Sequence, residues 1–188
     1  MSVRDRDRDE LVLIRKSQDG DTAAFGELYE RYRQAVYLLA YRVVRNQADA
    51  EDLMQDSFIR AYRYLARYNT QYSFYTWLRT IVINLGRDWL RKRKSQQTGL
   101  ESFASEQQLT THPEVKIDRI ADRQLLNQAI SELSDQQRLS FILFEVEGLT
   151  LEEISVQLHC SVGTIKTHLH RARNQLRNKL RKDYIDFE

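Results

Sequence analysis

Apolar residues recur every three or four positions along most of the chain, and this spacing predicts amphipathic helices. The first helix is predicted from Thr22 to Val44, with an apolar face formed by Phe25, Leu28, Tyr32, Val36, Leu39 and Val43. A second is predicted from about Ala48 to Arg67, and a third from about Ser73 to Lys94. Three helices of this length predict a compact helical bundle.

The periodicity stops over residues 95–113. This segment is rich in Ser, Gln and Thr, holds few apolar residues, and ends at Pro113, the only proline. Because so few apolar side chains cannot offset the loss of chain entropy by burial, the segment is predicted to be a flexible linker. Helical spacing resumes between Ile117 and Ile130, which predicts a further helix.

Two capping boxes predict the starts of the next two helices: Ser134 with Gln137, and Thr150 with Glu153. Gly148 is suited to end the first of these helices in the left-handed conformation. Ser161 is predicted to cap a last helix that continues to about Arg181. A short helix, a tight turn and a longer basic helix form the helix-turn-helix arrangement, whose second helix lies in the DNA major groove.

Composition supports an all-α protein. Six glycines and one proline among 188 residues leave little material for strand-bounding turns or phosphate-binding loops. Cys160 is the only cysteine, which excludes an internal disulfide and a multi-thiolate metal site, and we expect it to be a small buried residue. No apolar stretch approaches the roughly 18 residues of a membrane span, and the N-terminus is highly charged. We therefore expect a cytoplasmic protein without direct membrane insertion.

The net charge of +2 hides a sorting of charge into blocks. Residues 135–160 hold one base and five acids, whereas 161–182 hold seven bases and no acid. A wholly basic last helix favours an anionic polymer as its partner, although a solvated surface helix would show the same charges. The helix also carries polar groups able to contact phosphates or base edges: Thr164, Lys166, Thr167, His168, His170, Arg171 and Arg173.

Two features of this helix have plainer explanations. The apolar seam that includes Ile154 and Ile165 would serve a purely structural helical hairpin as well, so the interpretation as a DNA reader depends on the basic face. His168 and His170 are two residues apart and do not share a helix face, and no thiolate or carboxylate accompanies them. A metal site is therefore not predicted.

An aromatic run lies between the second and third predicted helices: Tyr62, Tyr64, Tyr68, Tyr72, Phe74, Tyr75 and Trp77. Phe74 and Trp77 fit the buried face of the third helix, so part of the run belongs to the core. The remaining rings, interleaved with polar and basic residues, are suited to stacking on unpaired bases, each stack contributing on the order of 1–3 kcal/mol.

Acidic residues cluster at the start of the second helix: Asp49, Glu51, Asp52 and Asp56. Acids at a helix N-terminus are stabilised by the helix dipole, which is the plain explanation. Asp52 and Asp56 lie one turn apart and repel each other, so a basic protein partner explains them better. No catalytic residue set and no cofactor motif is recognisable, and neither catalysis nor a cofactor is predicted.

On these residues the chain resembles the extracytoplasmic-function (ECF) sigma factors of bacterial RNA polymerase, in the sigma-70 family. Residues 19–94 resemble sigma region 2, through DGDTAAFGELYERY, ADAEDLMQDSFIRAYR and SFYTWLRTIVINLGRDWLRKRK. Residues 127–181 resemble region 4, through EGLTLEEI, VGTIK and HRAR in that order. The resemblance implies two helical domains, 1–94 and 114–188, joined by the linker 95–113.

The resemblance also implies partners for three sets of residues. Core polymerase, through the clamp helices of its largest subunit, would bind Asp49, Glu51, Asp52, Gln55, Asp56 and Arg60. Melting and single-strand capture at the promoter's minus-ten element would involve Tyr68, Asn69, Ser73, Tyr75, Thr76, Arg79, Asn84, Arg87, Arg91, Lys92 and Arg93. Duplex recognition at the minus-thirty-five element would involve Ser161, Thr164, Lys166, Thr167, His168, His170, Arg171, Arg173 and Arg177.

Relatives usually carry Pro where Ser161 stands, and this departure affects only local rigidity because Ser is an equally sound cap. At His168 relatives often carry a small or basic side chain, so the sequence does not specify base preference. The resemblance further implies control by an anti-sigma factor, often membrane-anchored, that would hold the chain at the inner membrane face, in a stress or envelope response. The alternative functions are a stand-alone helix-turn-helix repressor that dimerises through its N-terminal bundle, and a nucleic-acid-processing enzyme. The aromatic run and acidic helix disfavour the first, and no residue set supports the second.

Overall fold

The computed structural model describes residues 3–97, 126 and 128–185, and within these ranges the chain is helical without any strand. The chain divides into two compact units, Met1–Glu101 and Ser102–Glu188. The expectation of an all-α protein with two helical domains is therefore confirmed. Most of the predicted linker lies outside the described residues, and its first three residues, 95–97, are the last turn of a helix.

The first unit holds four helices: α1 (Val3–Gln18), α2 (Thr22–Val44), α3 (Gln47–Tyr64) and α4 (Phe74–Gln97). A 3-10 turn, Leu65–Arg67, follows α3 and leads into the loop 68–73. Helix α1 was not predicted, because its first eight residues are mostly charged and show no apolar repeat. Its C-terminal half nevertheless packs on the bundle through Ile14, which is fully buried.

Capping groups set the bounds of α2 and α3. The Asp21 carboxylate accepts hydrogen bonds from the backbone N–H groups of Ala23 and Ala24, at 2.9 and 3.1 Å. Helix α2 ends at Arg45, whose left-handed φ of 62° turns the chain, and the side chain of Asn46 then caps α3 by accepting from Asp49 N–H at 3.0 Å. Because only Arg45 and Asn46 join α2 to α3, the chain turns back sharply and the buried faces of the two helices meet.

Helix α4 packs closely against both α2 and α3 at Gly86. A Cβ atom at this position would lie 2.7 Å from Val43 Cγ1 and 3.3 Å from Leu53 Cδ2. The absent side chain therefore permits the close approach of the helices. The buried core of this unit draws apolar residues from every helix, including Leu28, Leu39, Phe58, Ala61, Phe74, Leu78, Val82 and Ile83.

The second unit contains α5 (Asp135–Phe141), α6 (Leu151–Leu158) and α7 (Val162–Ile185). Both predicted capping boxes are present: Gln137 accepts from Ser134 N–H at 3.1 Å, and Glu153 accepts from Thr150 N–H at 2.8 Å. Gly148 has the expected left-handed φ of 67°. Helix α5 does not continue to Gly148 as a regular α-helix, because a five-residue π turn, Ile142–Val146, replaces its last turns.

Helices α6 and α7 form the predicted helix-turn-helix. His159 takes the left-handed conformation between them, with a φ of 54°, and Ile154, Leu158, Ile165 and Leu169 fill the shared apolar seam. Farther along α7, Ala172 and Leu176 pack against Ala129 and Leu133 of the segment before α5. The predicted helix between Ile117 and Ile130 lies outside the described residues except at its C-terminal end, which is helical.

Candidate nucleic-acid and polymerase-binding surfaces

The N-terminus of α7 is held by the Ser161 side chain. Its Oγ accepts from Thr164 N–H at 3.1 Å and lies 2.9 Å from Thr164 Oγ1, while Thr167 Oγ1 donates to Gly163 O at 3.0 Å. Ser161 is thus a sound helix cap. The exposed face of α7 beyond this cap carries Lys166, Thr167, His170, Arg171 and Arg177.

His168 does not belong to that exposed face. Its ring is half-buried, and Nδ1 lies 3.4 Å from the Oγ of Ser140 in α5. Burial lowers the pKa of the imidazole from its ordinary value, and the neighbouring Arg171 charge lowers it further. The ring is therefore neutral at physiological pH and offers no cation to a phosphate.

Arg173 makes an ion pair with the π turn. Its Nη2 and Nε donate to Glu145 Oε1 at 2.6 and 3.0 Å, and the guanidinium lies 5.4 Å from the centre of the Phe144 ring. The sequence placed Arg173 among the outward-facing basic side chains. In the structure its guanidinium is paired with the Glu145 carboxylate. A DNA contact by Arg173 would have to replace this ion pair.

His170 lies on the exposed face, and its Nε2 is 2.9 Å from Asn174 Nδ2. It points away from the Ser140 side of α7, so the two histidines of the helix have different surroundings, as their spacing predicts. Within the described ranges no group of three or more His, Cys, Asp or Glu side chains could hold a metal ion. Cys160 is half-buried, and burial raises the pKa of its thiol, which keeps it protonated.

The loop 68–73 contains two tyrosines, one buried and one exposed. Tyr68 is only 6% exposed, with its ring 5.7 Å from Phe74 and 5.0 Å from Trp77 between ring centres. Tyr72 is 64% exposed, and its carbonyl accepts a hydrogen bond from the Tyr68 hydroxyl. Tyr68 therefore packs against the core and holds the loop through its hydroxyl group. Its role in base stacking stays a prediction.

Tyr72 was part of the aromatic run but was not among the predicted minus-ten residues. No periodic pattern indicates its exposure, because it lies outside any helix and follows no repeat. The presence of four small or polar neighbours, 69–71 and 73, is the one signal that this ring faces solvent. In the described part of this loop it is the aromatic side chain most accessible to an unpaired base.

Polar groups on either side of Tyr72 are held by local hydrogen bonds. Asn69 Oδ1 accepts from Gln71 N–H at 3.0 Å and shapes the loop, while Ser73 Oγ accepts from Thr76 N–H at 3.1 Å and caps α4. Tyr75, at the start of α4, is half-buried and lies nearly parallel to Tyr32 at 6.0 Å. The predicted minus-ten residues at this end of α4 are thus gathered beside one loop.

The remaining predicted minus-ten residues follow along α4. Arg79, Asn84 and Arg87 are half-buried, whereas the basic run near the end of α4 is exposed: Arg91, Lys92 and Arg93. Arg91 makes an exposed ion pair with Asp88 at 3.3 Å, and the Arg93 guanidinium lies 5.3 Å from the Trp89 ring centre. These contacts leave a basic surface at the C-terminal end of α4.

Helix α3 presents the acidic cluster to solvent. Glu51, Asp52, Gln55, Asp56 and Arg60 are exposed, and Asp49 is half-buried at the capped N-terminus. Glu51 accepts from Gln47 Nε2 at 3.2 Å, and the Arg60 guanidinium lies 5.9 Å from the Tyr64 ring centre. Ile59, half of whose surface is exposed, adds an apolar side chain next to this polar face. Helix α3 therefore presents a mainly acidic surface, with an exposed apolar side chain beside it, to solvent.

Comparison with known proteins identifies the class. Sigma-70 region 2 matches residues 28–96, and sigma-70 region 4 matches residues 123–176. The chain therefore belongs to the sigma-70 family of RNA polymerase sigma factors. These are transcription initiation factors. No helix in the described ranges is long and apolar enough to cross a membrane.

Individual relatives place the chain in the ECF group. It is 34% identical over 177 residues to the ECF sigma factor SigW of Bacillus subtilis, covering 89% of this chain and 95% of SigW. It is 32% identical over 178 residues to the ECF sigma-E factor of Escherichia coli K12, covering 90% of this chain and 93% of that protein. Among solved structures, sigma factor RpoE of Bartonella quintana, in complex with the anti-sigma factor NepR, is 26% identical with a TM-score of 0.68, over 84% of this chain and 96% of RpoE.

Proposed function

We propose that this chain is the promoter-recognition subunit of a bacterial RNA polymerase, which binds the core enzyme and directs initiation at specific promoters. The observation that carries the proposal is the presence in one chain of three exposed surfaces of different chemistry: an acidic helix, an aromatic loop and a basic recognition helix. A repressor would need only the last of these. Membership of the ECF sigma family supports the same function.

In the second unit, α7 would enter the major groove at the minus-thirty-five element. Lys166, His170 and Arg171 project from its exposed face, and in the groove the capped N-terminus of the helix would face the phosphate backbone. Lys166 and Arg171 would supply charge to phosphates or guanine edges, whereas Thr167 and His170 would contact base edges. Ser161, Thr164 and Arg177 would flank these contacts.

In the first unit, the loop 68–73 would hold the unpaired minus-ten strand. Tyr72 offers an exposed ring for stacking, and Asn69 and Ser73 offer hydrogen-bonding groups on either side of it. The basic C-terminal end of α4, at Arg91–Arg93, would bind the backbone of the same region. Extruding a base costs a few kcal/mol, which stacking on the loop would offset.

Helix α3 would bind core polymerase. Asp52 and Asp56, one turn apart and exposed, would face basic groups of the partner, with Ile59 at the adjacent turn adding apolar contact. This arrangement would relieve the repulsion between the two carboxylates. The surface lies on a different helix from the strand-binding loop, so the two ligands would not compete for the same side chains.

The proposal includes a cytoplasmic location, no catalysis by the chain itself, and control by an anti-sigma factor. The structural similarity to a sigma factor bound to its anti-sigma factor supports the last point. A tagged chain recovered from its native cells should bring with it core polymerase and a second protein that blocks transcription when added to the reconstituted enzyme. Recovery of core polymerase alone would count against such control.

The direct test is transcription by core polymerase reconstituted with the purified chain, on a library of promoter fragments. The expected result is a set of transcripts that start at defined sites and share two sequence elements, absent when the chain is omitted. Random initiation with and without the chain would overturn the proposal. A mobility-shift assay without polymerase separates the repressor function, which predicts tight duplex binding by the chain alone.

A further inference from the structure

Helix α1 lies before the part of the chain that matches sigma region 2, which begins at residue 28. It is linked to the residues on either side of the loop 68–73, directly at the 3-10 turn before the loop and through Tyr32 of α2 at the start of α4. At the entry to the loop, Gln18 Nε2 donates to the Leu65 carbonyl at 2.9 Å, and Leu65 belongs to the 3-10 turn that precedes Tyr68. The buried Ile14 keeps this part of α1 on the bundle.

At the exit from the loop, α1 acts through Tyr32 of α2. The Tyr32 hydroxyl donates a short hydrogen bond to Glu10, and Arg31 lies 3.7 Å from the same carboxylate. The Tyr32 ring lies 5.5 Å from Phe74 and 6.0 Å from Tyr75, centre to centre, and is nearly parallel to Tyr75. Glu10 therefore orients the Tyr32 ring, which packs against Phe74 and Tyr75 at the start of α4.

The charge of Glu10 also reaches Tyr68. Burial raises the pKa of Tyr68, and the Glu10 carboxylate raises it further, as both do for Tyr32. Both phenols are kept protonated, so Tyr32 donates to Glu10 and Tyr68 donates to the Tyr72 carbonyl at the same time. The contacts run from Glu10 to Tyr32, from Tyr32 to Phe74, from Phe74 to Tyr68, and from the Tyr68 hydroxyl to the backbone carbonyl of Tyr72.

From this geometry we infer that α1 positions the loop 68–73 for capture of the unpaired strand, with Glu10 and Gln18 as its positioning residues. The inference rests on the proposed function. Neither residue touches DNA: they restrict the loop to the conformation that presents Tyr72. Without them the loop samples other conformations. The apparent affinity for the strand is then the intrinsic affinity multiplied by the fraction of molecules whose loop is in the binding conformation.

The test uses the full chain in holoenzyme with core polymerase, and a labelled single-stranded oligonucleotide of the minus-ten strand from a promoter that the holoenzyme selects. Glu10→Ala and Gln18→Ala should each weaken oligonucleotide binding about tenfold, while affinity for core polymerase changes less than about twofold. Glu10→Gln, which keeps an oxygen acceptor for Tyr32, should recover most of the binding. Asp9→Ala, which removes the same charge from the exposed neighbouring position, is the matched control and should bind as the unchanged chain does.

Two results would overturn the inference. One is oligonucleotide binding by Glu10→Ala equal to that of Asp9→Ala, and the other is an equal loss of strand and core binding, which would give α1 a purely structural role. Failure of the proposed function is recognised separately, because the unchanged holoenzyme would then select no promoter and capture no strand.

Discussion

Arg173 of α7 and Glu145 of the π turn form an ion pair with Nη2 and Oε1 at 2.6 Å, and the same guanidinium lies over Phe144. The pair joins the recognition helix to the irregular end of α5. Glu145 lies within the π turn Ile142–Val146, where the backbone departs from the regular α-helical path. The sequence assigns the Arg173 side chain to a DNA contact, but in the structure it pairs with Glu145 of its own domain.

Removing Glu145 should release Arg173 for phosphate. In Glu145→Ala, we expect tighter non-specific duplex binding at low salt and a salt dependence steeper by about 0.9 in the logarithmic slope, the value for one added phosphate contact. Fluorescence anisotropy of a labelled duplex across a salt series measures both. Glu152→Ala, which removes an exposed acid from α6, is the matched control, and an equal slope change in both variants would contradict a specific release of Arg173.

His168 should make the second unit less stable in acid. Its pKa is lowered from 6.5 by burial and by Arg171, so below about pH 6.5 the unfolded chain binds a proton that the folded chain does not. The free energy of unfolding should therefore fall between pH 7 and pH 5 by more in the unchanged chain than in His168→Gln. Urea unfolding at the two pH values measures this difference, and His170→Gln, which keeps His168, should retain the fall. Parallel pH profiles for the unchanged chain and His168→Gln would refute it.

Gly86→Ala should destabilise the first unit. The new Cβ would overlap Val43 Cγ1, and overpacking of this kind costs about 1–3 kcal/mol, whereas the gain in helix propensity is at most about 1 kcal/mol. Gly26→Ala in α2 is the matched control, since its Cβ would meet nothing within 4 Å and should stabilise the unit by about 0.5–1 kcal/mol. Thermal unfolding should separate the two variants in opposite directions, and a stabilised Gly86→Ala would show that α2 and α4 can move apart.

Charge reversal on α3 should weaken core binding. Asp52→Lys would place a cation against the basic partner surface, and we expect affinity for core polymerase to fall by about tenfold, most strongly at low salt. Duplex binding through α7 should not change. Glu27→Lys, a reversal at an exposed position of α2, is the control, and an identical loss in both variants would indicate a general charge effect instead of a docking surface.

Tyr72 should contribute to strand capture through its ring alone. Tyr72→Ala should lower the affinity of holoenzyme for the single-stranded minus-ten oligonucleotide by about 1–3 kcal/mol, with little effect on unfolding because the side chain is exposed. Tyr72→Phe keeps the ring and should bind as the unchanged chain does. A loss of binding in Tyr72→Phe would instead assign the contact to the hydroxyl.

Helix positions followed from the sequence wherever local signals set them. Helix α2 has the predicted bounds, because its apolar repeat is regular and Asp21 caps its N-terminus, while Asn46 caps the start of α3 directly after it. Ser134 and Thr150 likewise begin helices, since a capping box needs only residues three apart. The π turn was missed because the sequence Ile142–Val146 has no local feature that distinguishes it from a continuing α-helix.

Side-chain roles were harder to predict, because they depend on partners distant in sequence. The assignment of His168 and Arg173 to the basic outer face followed from helical position, yet Ser140 and Glu145, 28 residues earlier in each case, determine what each contacts. Burial of Tyr68 and exposure of Tyr72 arise in the same way, since the aromatic run has no periodicity that separates core from surface. The identities of the minus-ten and minus-thirty-five contacts stay predictions.

The contacts of α1 bear on how this chain can be recombined with its relatives. A hybrid factor joined at residue 28, where the family match begins, would discard Glu10 and Gln18 and keep the loop that they hold. Such a hybrid would receive the strand-binding residues of this chain and the N-terminal helix of another. Exchange of promoter preference between sigma factors should therefore be designed with the junction ahead of α1, so that helix and loop are inherited together.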